Sequence, residues 1–189
     1  MSPHHTLFAS RPRRRRPTLL LILGLVLGLA APTVVAAPAS AGPGVLSAHC
    51  STSGFFEPNP VDPSIGTTWT LIGARSNEAF TYRYWMAQQP PSGSSILYYR
   101  YSLVAKCNSG NFLISSTTLT TTGASGTAYC TSSTDITPPA SAVTYRYVGQ
   151  RWVRTQGITP TATIRYWHVE RFSYVSLTWT YDSSYVVRC

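Results

Sequence analysis

The sequence predicts an all-β protein, and three observations carry that prediction. The first is a duplication. Thr81-Tyr82-Arg83-Tyr84-Trp85 returns as Thr163-Ile164-Arg165-Tyr166-Trp167, and Leu103 to Cys107 aligns with Tyr185 to Cys189 at the same offset of 82 residues. Across 81–107 against 163–189, nine of 27 positions are identical, where composition alone gives roughly two, so the chain carries a tandem repeat. The second is periodicity of two: Phe80, Tyr82 and Tyr84 fall on one side of an extended segment, and Thr81, Arg83 and Trp85 on the other. The third is composition. Only 11% of residues are charged, no window shows helical periodicity, and β-branched and aromatic runs alternate with Gly, Pro, Ser and Asn clusters. Two arrangements fit: two tandem disulfide-bridged antiparallel β units, each sandwich-like, or one pseudo-symmetric β-sandwich or barrel built from both copies.

Residues 1–41 read as a secretory signal peptide. Arg11 and Arg13 to Arg16 form the positive segment, Leu19 to Ala31 the apolar core, and Ala39-Ser40-Ala41 the cleavage pattern, which makes Gly42 the first mature residue. Pro32, Pro38 and the small residues around them argue against a membrane anchor. The Arg pairs leave twin-arginine export open beside the general route. The chain is formally +9, but five of its fifteen basic residues lie in this segment, so ten remain against six acidic ones. Nine of those ten are Arg, and no Lys/Arg block survives, so no nucleic-acid partner is expected. After signal cleavage no membrane association is expected either.

Residues 42–107 form the first repeat, 108–129 a hairpin and Ser/Thr/Gly-rich linker, and 130–189 the second repeat. The Pro-rich run 42–66 reads as extended and turn-rich, with Cys50 as its anchor. Thr67 to Ile72 is a strand, Phe80 to Trp85 the next, Gln89 to Ser94 a loop, and Ile96 to Cys107 a long Tyr-rich strand. Asn108-Ser109-Gly110-Asn111 is a turn signal that folds Phe112 to Leu119 back as a strand. Thr120 to Thr127 reads as the linker. In the second copy, strands are expected from Val143 towards Arg154, from Ile164 to Val169, from Ser176 to Tyr181 and from Tyr185 to Cys189. The run 161–175 could be taken for a helix, but its Thr, Ile, Tyr, Trp and Val content favours strand. Trp152 aligns with Trp69 if the offset slips by one.

The four cysteines all lie in the mature segment. An even count in an exported chain implies two disulfides, and the repeat selects Cys50–Cys107 and Cys130–Cys189, because each pair brackets one copy. Each bridge closes a loop of about 60 residues and contributes roughly 4 kcal/mol by limiting the unfolded chain. No C-x-x-C pair or Cys/His cluster is present, so neither a metal site nor a cofactor is expected.

Catalytic signals are thin. His168 and Glu170 stand at i, i+2 and share a face of a strand, where an acid/base pair, a partial metal site or an ordinary polar face are all compatible. With Arg165 or Arg171 beside them they suggest a small secreted hydrolase or nuclease. The repeated Arg83/Trp85 and Arg165/Trp167 pairs give the other candidate site. Trp stacks on sugar rings and Arg grips anionic groups, so this face is expected to bind a ligand, with both Arg in solvent, both Trp half-exposed, and Tyr82, Tyr84 and Tyr166 in the core. The leading expectation is therefore a secreted, non-enzymatic recognition module for an extracellular protein or glycan. A secreted enzyme inhibitor presenting the Gln89 to Ser94 loop is the alternative, and the His168/Glu170 hydrolase a further one.

Overall fold

The computed structural model describes residues 43–57, 66–77, 79–123, 127–156 and 160–189. The expected signal peptide and its cleavage site lie outside them. The described residues form one compact unit, whose elements in chain order are α1 (Pro43–Ser51), β1 (Phe55–Phe56), β2 (Thr68–Ser76), β3 (Thr81–Gln89), β4 (Tyr98–Cys107), β5 (Leu113–Leu119), β6 (Thr121–Gly123), α2 (Ala128–Thr131), β7 (Val143–Arg154), β8 (Thr161–Ser173) and β9 (Thr178–Arg188). The fold is all-β and sandwich-like. One sheet has the order β1-β2-β3-β4-β5 and the other β6-β9-β8-β7. The disulfides join Cys50 to Cys107 and Cys130 to Cys189, so each ties a helix to the end of the third strand of its copy.

The copies do not form separate cores. Tyr82, Tyr84, Met86 and Val104 of the first sheet pack with Val153, Ala162, Ile164, Tyr166 and Val186 of the second in one cluster between the sheets. Each outer face is covered as well. Leu46, Cys50 and Phe56 lie over Trp69, Trp85 and Leu103 on the first sheet, and Tyr129, Cys130 and Ile136 lie over Trp167 and Val187 on the second. Both sheets are therefore apolar on two faces in their middle strands.

A pseudo-twofold relation is visible in the irregularities. The β2–β3 register slips between Leu71 and Gly73, and the β7–β8 register slips between Tyr147 and Gly149. The bulged residues, Ile72 and Val148, meet the opposite glycine across the sheets. A Cβ on Gly73 would lie 2.8 Å from the Val148 carbonyl oxygen, and one on Gly149 would lie 3.0 Å from Ile72 Cγ2. Only glycine lets the two backbones cross this closely. The bulges also fix the alignment of the copies: Trp69 corresponds to Tyr145, and not to Trp152, since the offset on these strands is 76.

Four expectations need correction. Pro43 to Ser51 is helical, not extended; Pro at the first position suits a helix start, and Leu46, His49 and Cys50 fall on one side. Tyr129 and Cys130 likewise lie in a short helix. The linker contributes β6, which pairs in parallel with β9 through Thr121 and Val186. The last two expected strands are one, Thr178–Arg188, with a bulge facing Val169 and Glu170. The Asn108 turn is as expected: its Oδ1 accepts from the Gly110 and Phe112 amides at 3.0 and 2.9 Å, and Asn111 takes a left-handed φ of 59°.

The glycine crossing yields a direct test. Gly73→Ala forces a methyl against a backbone oxygen and is expected to cost about 1–3 kcal/mol. Gly149→Ala meets the Ile72 methyl at 3.0 Å and the Ile72 carbonyl oxygen at 3.1 Å, both farther off than the Val148 atoms at Gly73, and should cost less. Urea melting of both variants measures this, and a Gly73→Ala protein as stable as the wild type rejects the close crossing.

Candidate functional site

The repeated Arg-x-Trp strands put their side chains in places the alternation does not reveal. Tyr82, Tyr84 and Tyr166 are buried between the sheets, as expected. Trp85 and Trp167 are fully buried too, not half-exposed, and Arg165 is buried rather than in solvent. The cause is the helices. Trp85 is roofed by Phe56 and by the edge of His49, with centroids 5.2 and 5.1 Å away, and its indole N–H donates to the His49 carbonyl at 3.0 Å. Arg83 is half-buried and donates to the Cys50 carbonyl. That carbonyl belongs to the last turn of α1, where backbone acceptors lack intrahelical donors and the dipole favours a cation.

The second copy repeats this with less. Arg165 donates to the Tyr129 carbonyl at 3.4 Å and to Gln150 Oε1 at 2.8 Å, and its guanidinium lies 5.3 Å from the Tyr147 ring centroid. Tyr129 packs edge-on against Trp167 at 5.8 Å. The Trp167 indole N–H has no acceptor among the described residues. The Arg/Trp repeat thus holds short helices onto sheets. It presents no ring to solvent at Trp85 or Trp167.

His168 sits where the first copy has Met86, and it too is buried. Tyr181 Oη and Ser184 Oγ lie 3.0 Å apart, Ser184 donates to Tyr84 Oη at 3.0 Å, and Tyr84 Oη lies 2.8 Å from His168 Nδ1. A neutral imidazole with its proton on Nε2 suits both neighbours, since Tyr84 Oη can then donate to Nδ1 and Nε2 is turned to the Glu170 carboxylate. Nε2 faces Glu170 at 3.7 Å, and Glu170 accepts from Arg146 Nε at 2.9 Å. Arg146 reaches Asp135 at 3.1 Å, and Asp135 faces Arg75 at 3.5 Å. Burial pushes the His168 pKa down to about 4; Glu170 opposes the shift, while Arg75 and Arg146 add to it. His168 and Glu170 are brought together as the spacing suggests, but inside a cross-sheet network. Among the described residues no His/Cys/Asp/Glu group of metal-binding size forms.

The accessible aromatic surface lies elsewhere on the same sheet face. Trp152 pairs with Thr163 and Gln150 with Arg165, so these four share one side of the second sheet. Unlike Trp167, Trp152 is 62% exposed. It lines a concavity of about 570 Å³ with Pro91, Tyr98, Arg154, Gln156 and Thr161. A second concavity of about 500 Å³ adjoins it through Thr155 and Gln156 and holds Arg100, Thr121 and Arg188. Arg100 Nη1 touches Gln156 Oε1 at 3.5 Å, which joins the two halves along the cleft, and Arg188 Nη2 donates to Thr155 Oγ1 at 3.1 Å within the second. Trp152 entered the sequence reading only as a misaligned partner of Trp69. The i, i+2 pair Trp152/Arg154 was the available signal.

These features define a doubly disulfide-bridged, pseudo-symmetric two-sheet β protein with one aromatic- and Arg-lined cleft. The bridges fit an extracellular, oxidising setting, and no described helix is long and apolar enough to cross a membrane. No family model, curated protein or solved structure matches the chain.

Two outcomes follow from this geometry. His168 binds its proton near pH 4 when folded and near its ordinary 6.5 when unfolded, so the unfolded state holds more protons between these values and stability falls as pH drops through that window. The loss should total roughly 3 kcal/mol. Denaturant melting from pH 7 to 4 measures it, and His168→Met, which copies the residue of the first repeat, should flatten the profile. In the second test, Trp85→Ala should cost about 3–5 kcal/mol, whereas Trp152→Ala should stay within about 0.5. Equal melting of the two variants contradicts the burial described.

Proposed function

We propose that the mature chain is a secreted, non-enzymatic recognition module that binds an extracellular glycan. The observation that carries this reading is the exposed Trp152 ring set in an open cleft beside Tyr98, with Gln156, Thr155 and Thr161 as hydrogen-bonding groups. An exposed indole is a stacking surface for the C–H face of a pyranose ring, and amides and hydroxyls around it read the sugar hydroxyls. The cleft spans both sheets, which the shared core holds together. Little ordering is then needed on binding, which favours affinity. The site differs from the Arg83/Trp85 and Arg165/Trp167 face first expected, although it occupies the same side of the second sheet.

A second reading is docking to a protein, as in a secreted inhibitor. It is favoured by the tip of the β8–β9 hairpin, where Tyr174, Val175 and Leu177 are strongly exposed, Val175 at 98%. The hydrolase reading has weaker support, since His168 Nδ1 is occupied by Tyr84 and the ring is enclosed.

A glycan array probed with the secreted protein, and repeated with Trp152→Ala, tests the first reading. Binding to a defined set of glycans that falls at least tenfold in the variant is expected. Absence of any glycan signal, with capture of a protein partner that depends on Tyr174 and Leu177, replaces it with the second.

A further inference from the structure

Resting on the glycan reading, we infer that the ligand is an acidic saccharide, whose carboxylate or sulfate is held by Arg154 and Arg100 while a ring stacks on Trp152. The argument starts from where the arginines are used. Arg75, Arg146 and Arg171 form ion pairs with Asp135, Glu170 and Asp182. Arg83 and Arg165 are committed to carbonyls of α1 and α2. Arg154 is exposed and has no hydrogen-bond or ion-pair partner among the described residues, and Arg100 meets only the neutral Gln156. Both lie along the cleft with Arg188, and no Asp or Glu is among its lining residues. Arg151 is exposed and likewise without a partner among the described residues, but it lies outside the cleft; Arg154 and Arg100 are the two arginines without an acidic partner that stand beside the exposed ring.

The copies sharpen this. Arg100 and Asp182 occupy equivalent bulge positions, opposite Ala87/Gln88 and Val169/Glu170. In the second copy that position supplies the acid for Arg171; in the first it supplies a guanidinium to the cleft. A planar guanidinium matches a carboxylate or sulfate with two parallel hydrogen bonds, which a lone ammonium does not. The cleft offers Arg and no Lys. Two adjoining concavities suit at least two sugar units in a row. A single-stranded nucleic acid fits less well, because it needs a row of stacking rings along a basic groove, and Trp152 is the one strongly exposed ring here.

The experiment is titration of the secreted, disulfide-intact protein with three kinds of probe at fixed ionic strength. These are an acidic set (an oligogalacturonate and a sulfated oligosaccharide), the methyl ester of the oligogalacturonate with a neutral oligosaccharide of equal length, and an oligodeoxynucleotide of similar charge. At least one acidic probe should bind tenfold or more tightly than the neutral ones. Arg154→Gln and Trp152→Ala should each weaken it at least tenfold, while Arg171→Gln, outside the cleft, should leave it unchanged. If carboxylate and sulfate probes differ, the better one identifies the acid. Equal binding of ester and acid overturns the acidic ligand but leaves the glycan reading standing. Acidic binding that ignores Trp152→Ala is mere charge attraction and overturns the site. Tighter, Trp152-dependent binding of the oligonucleotide overturns the saccharide. Failure of every sugar probe rejects both this inference and the glycan reading.

Discussion

The central strand of each sheet has to be buried on both faces at once. On β3, Tyr82 and Tyr84 enter the layer between the sheets while Trp85 goes outward under α1. On β8, Ile164 and Tyr166 go inward and Trp167 goes outward under the α2 segment. Two separate units of about 60 residues would each bury a smaller share of their surface than one shared core does. One tyrosine layer shared by two sheets, with a helix closing each outer face, buries both sides of both strands. That arrangement makes the neighbouring features necessary. A polar strand position under a helix needs a partner, and Arg83 finds it in the terminal carbonyls of α1. The helix must be held to the sheet, and Cys50–Cys107 and Cys130–Cys189 do so. The sheets must approach at their bulges, and Gly73 and Gly149 permit it.

The shared layer is symmetric up to one substitution. Ser102 bonds Tyr166 at 2.8 Å and Tyr99 at 2.9 Å, as Ser184 bonds Tyr84 and Tyr181 in the other half. In the first copy Met86 and Gln88 stand where the second has His168 and Glu170. That exchange turns an apolar end of the network into a charged one, continued through Arg146 and Asp135 to Arg75 on β2. The phenols of Tyr84 and Tyr166 are held neutral by burial. The His168 chain therefore joins β2, β3, β7, β8 and β9 through hydrogen bonds and ion pairs that cross from one sheet to the other. Partner-rich burial of this kind favours one arrangement of the sheets over others, because a shift would strand several polar groups.

Much of this was legible in the residues themselves. The exact repeat of Arg, Tyr, Trp and Cys gave the central strands and the pairing of the bridges, because period-two alternation and bracketing are local facts. The helices were hidden by composition: Pro43 reads as a turn residue unless it is placed at a helix's first position, and the segment's apolar side is short. Burial of Trp85 and Trp167 was illegible for the same reason, since a strand face that carries Thr and Arg beside the Trp resembles a solvated face until a helix is known to cover it. β6 is only three residues and belongs to its sheet through parallel pairing with a strand some 65 positions away. The cleft is less legible still. Tyr98, Arg100, Trp152, Arg154 and Arg188 come from three separate strands, and no spacing rule connects them.

Duplication also explains why the cleft residues are not the repeated ones. A position that recurs in both copies is constrained by two equivalent packing environments, and Arg83/Arg165 and Trp85/Trp167 satisfy such constraints under α1 and α2. Changing either member would strand a helix carbonyl or leave a large hole. Positions that differ between copies are not held by this double constraint, and those at the surface carry little packing load. On the bulge alignment Trp152 corresponds to Ser76, and Arg100 to Asp182. The sheet tolerates a serine or an aspartate there, so an exposed indole and an unpaired guanidinium are not demanded by the fold. A large aromatic exposed to water gains nothing for folding. The saccharide cleft proposed above would give both the ring and the neighbouring Arg100 and Arg154 a role that the fold does not.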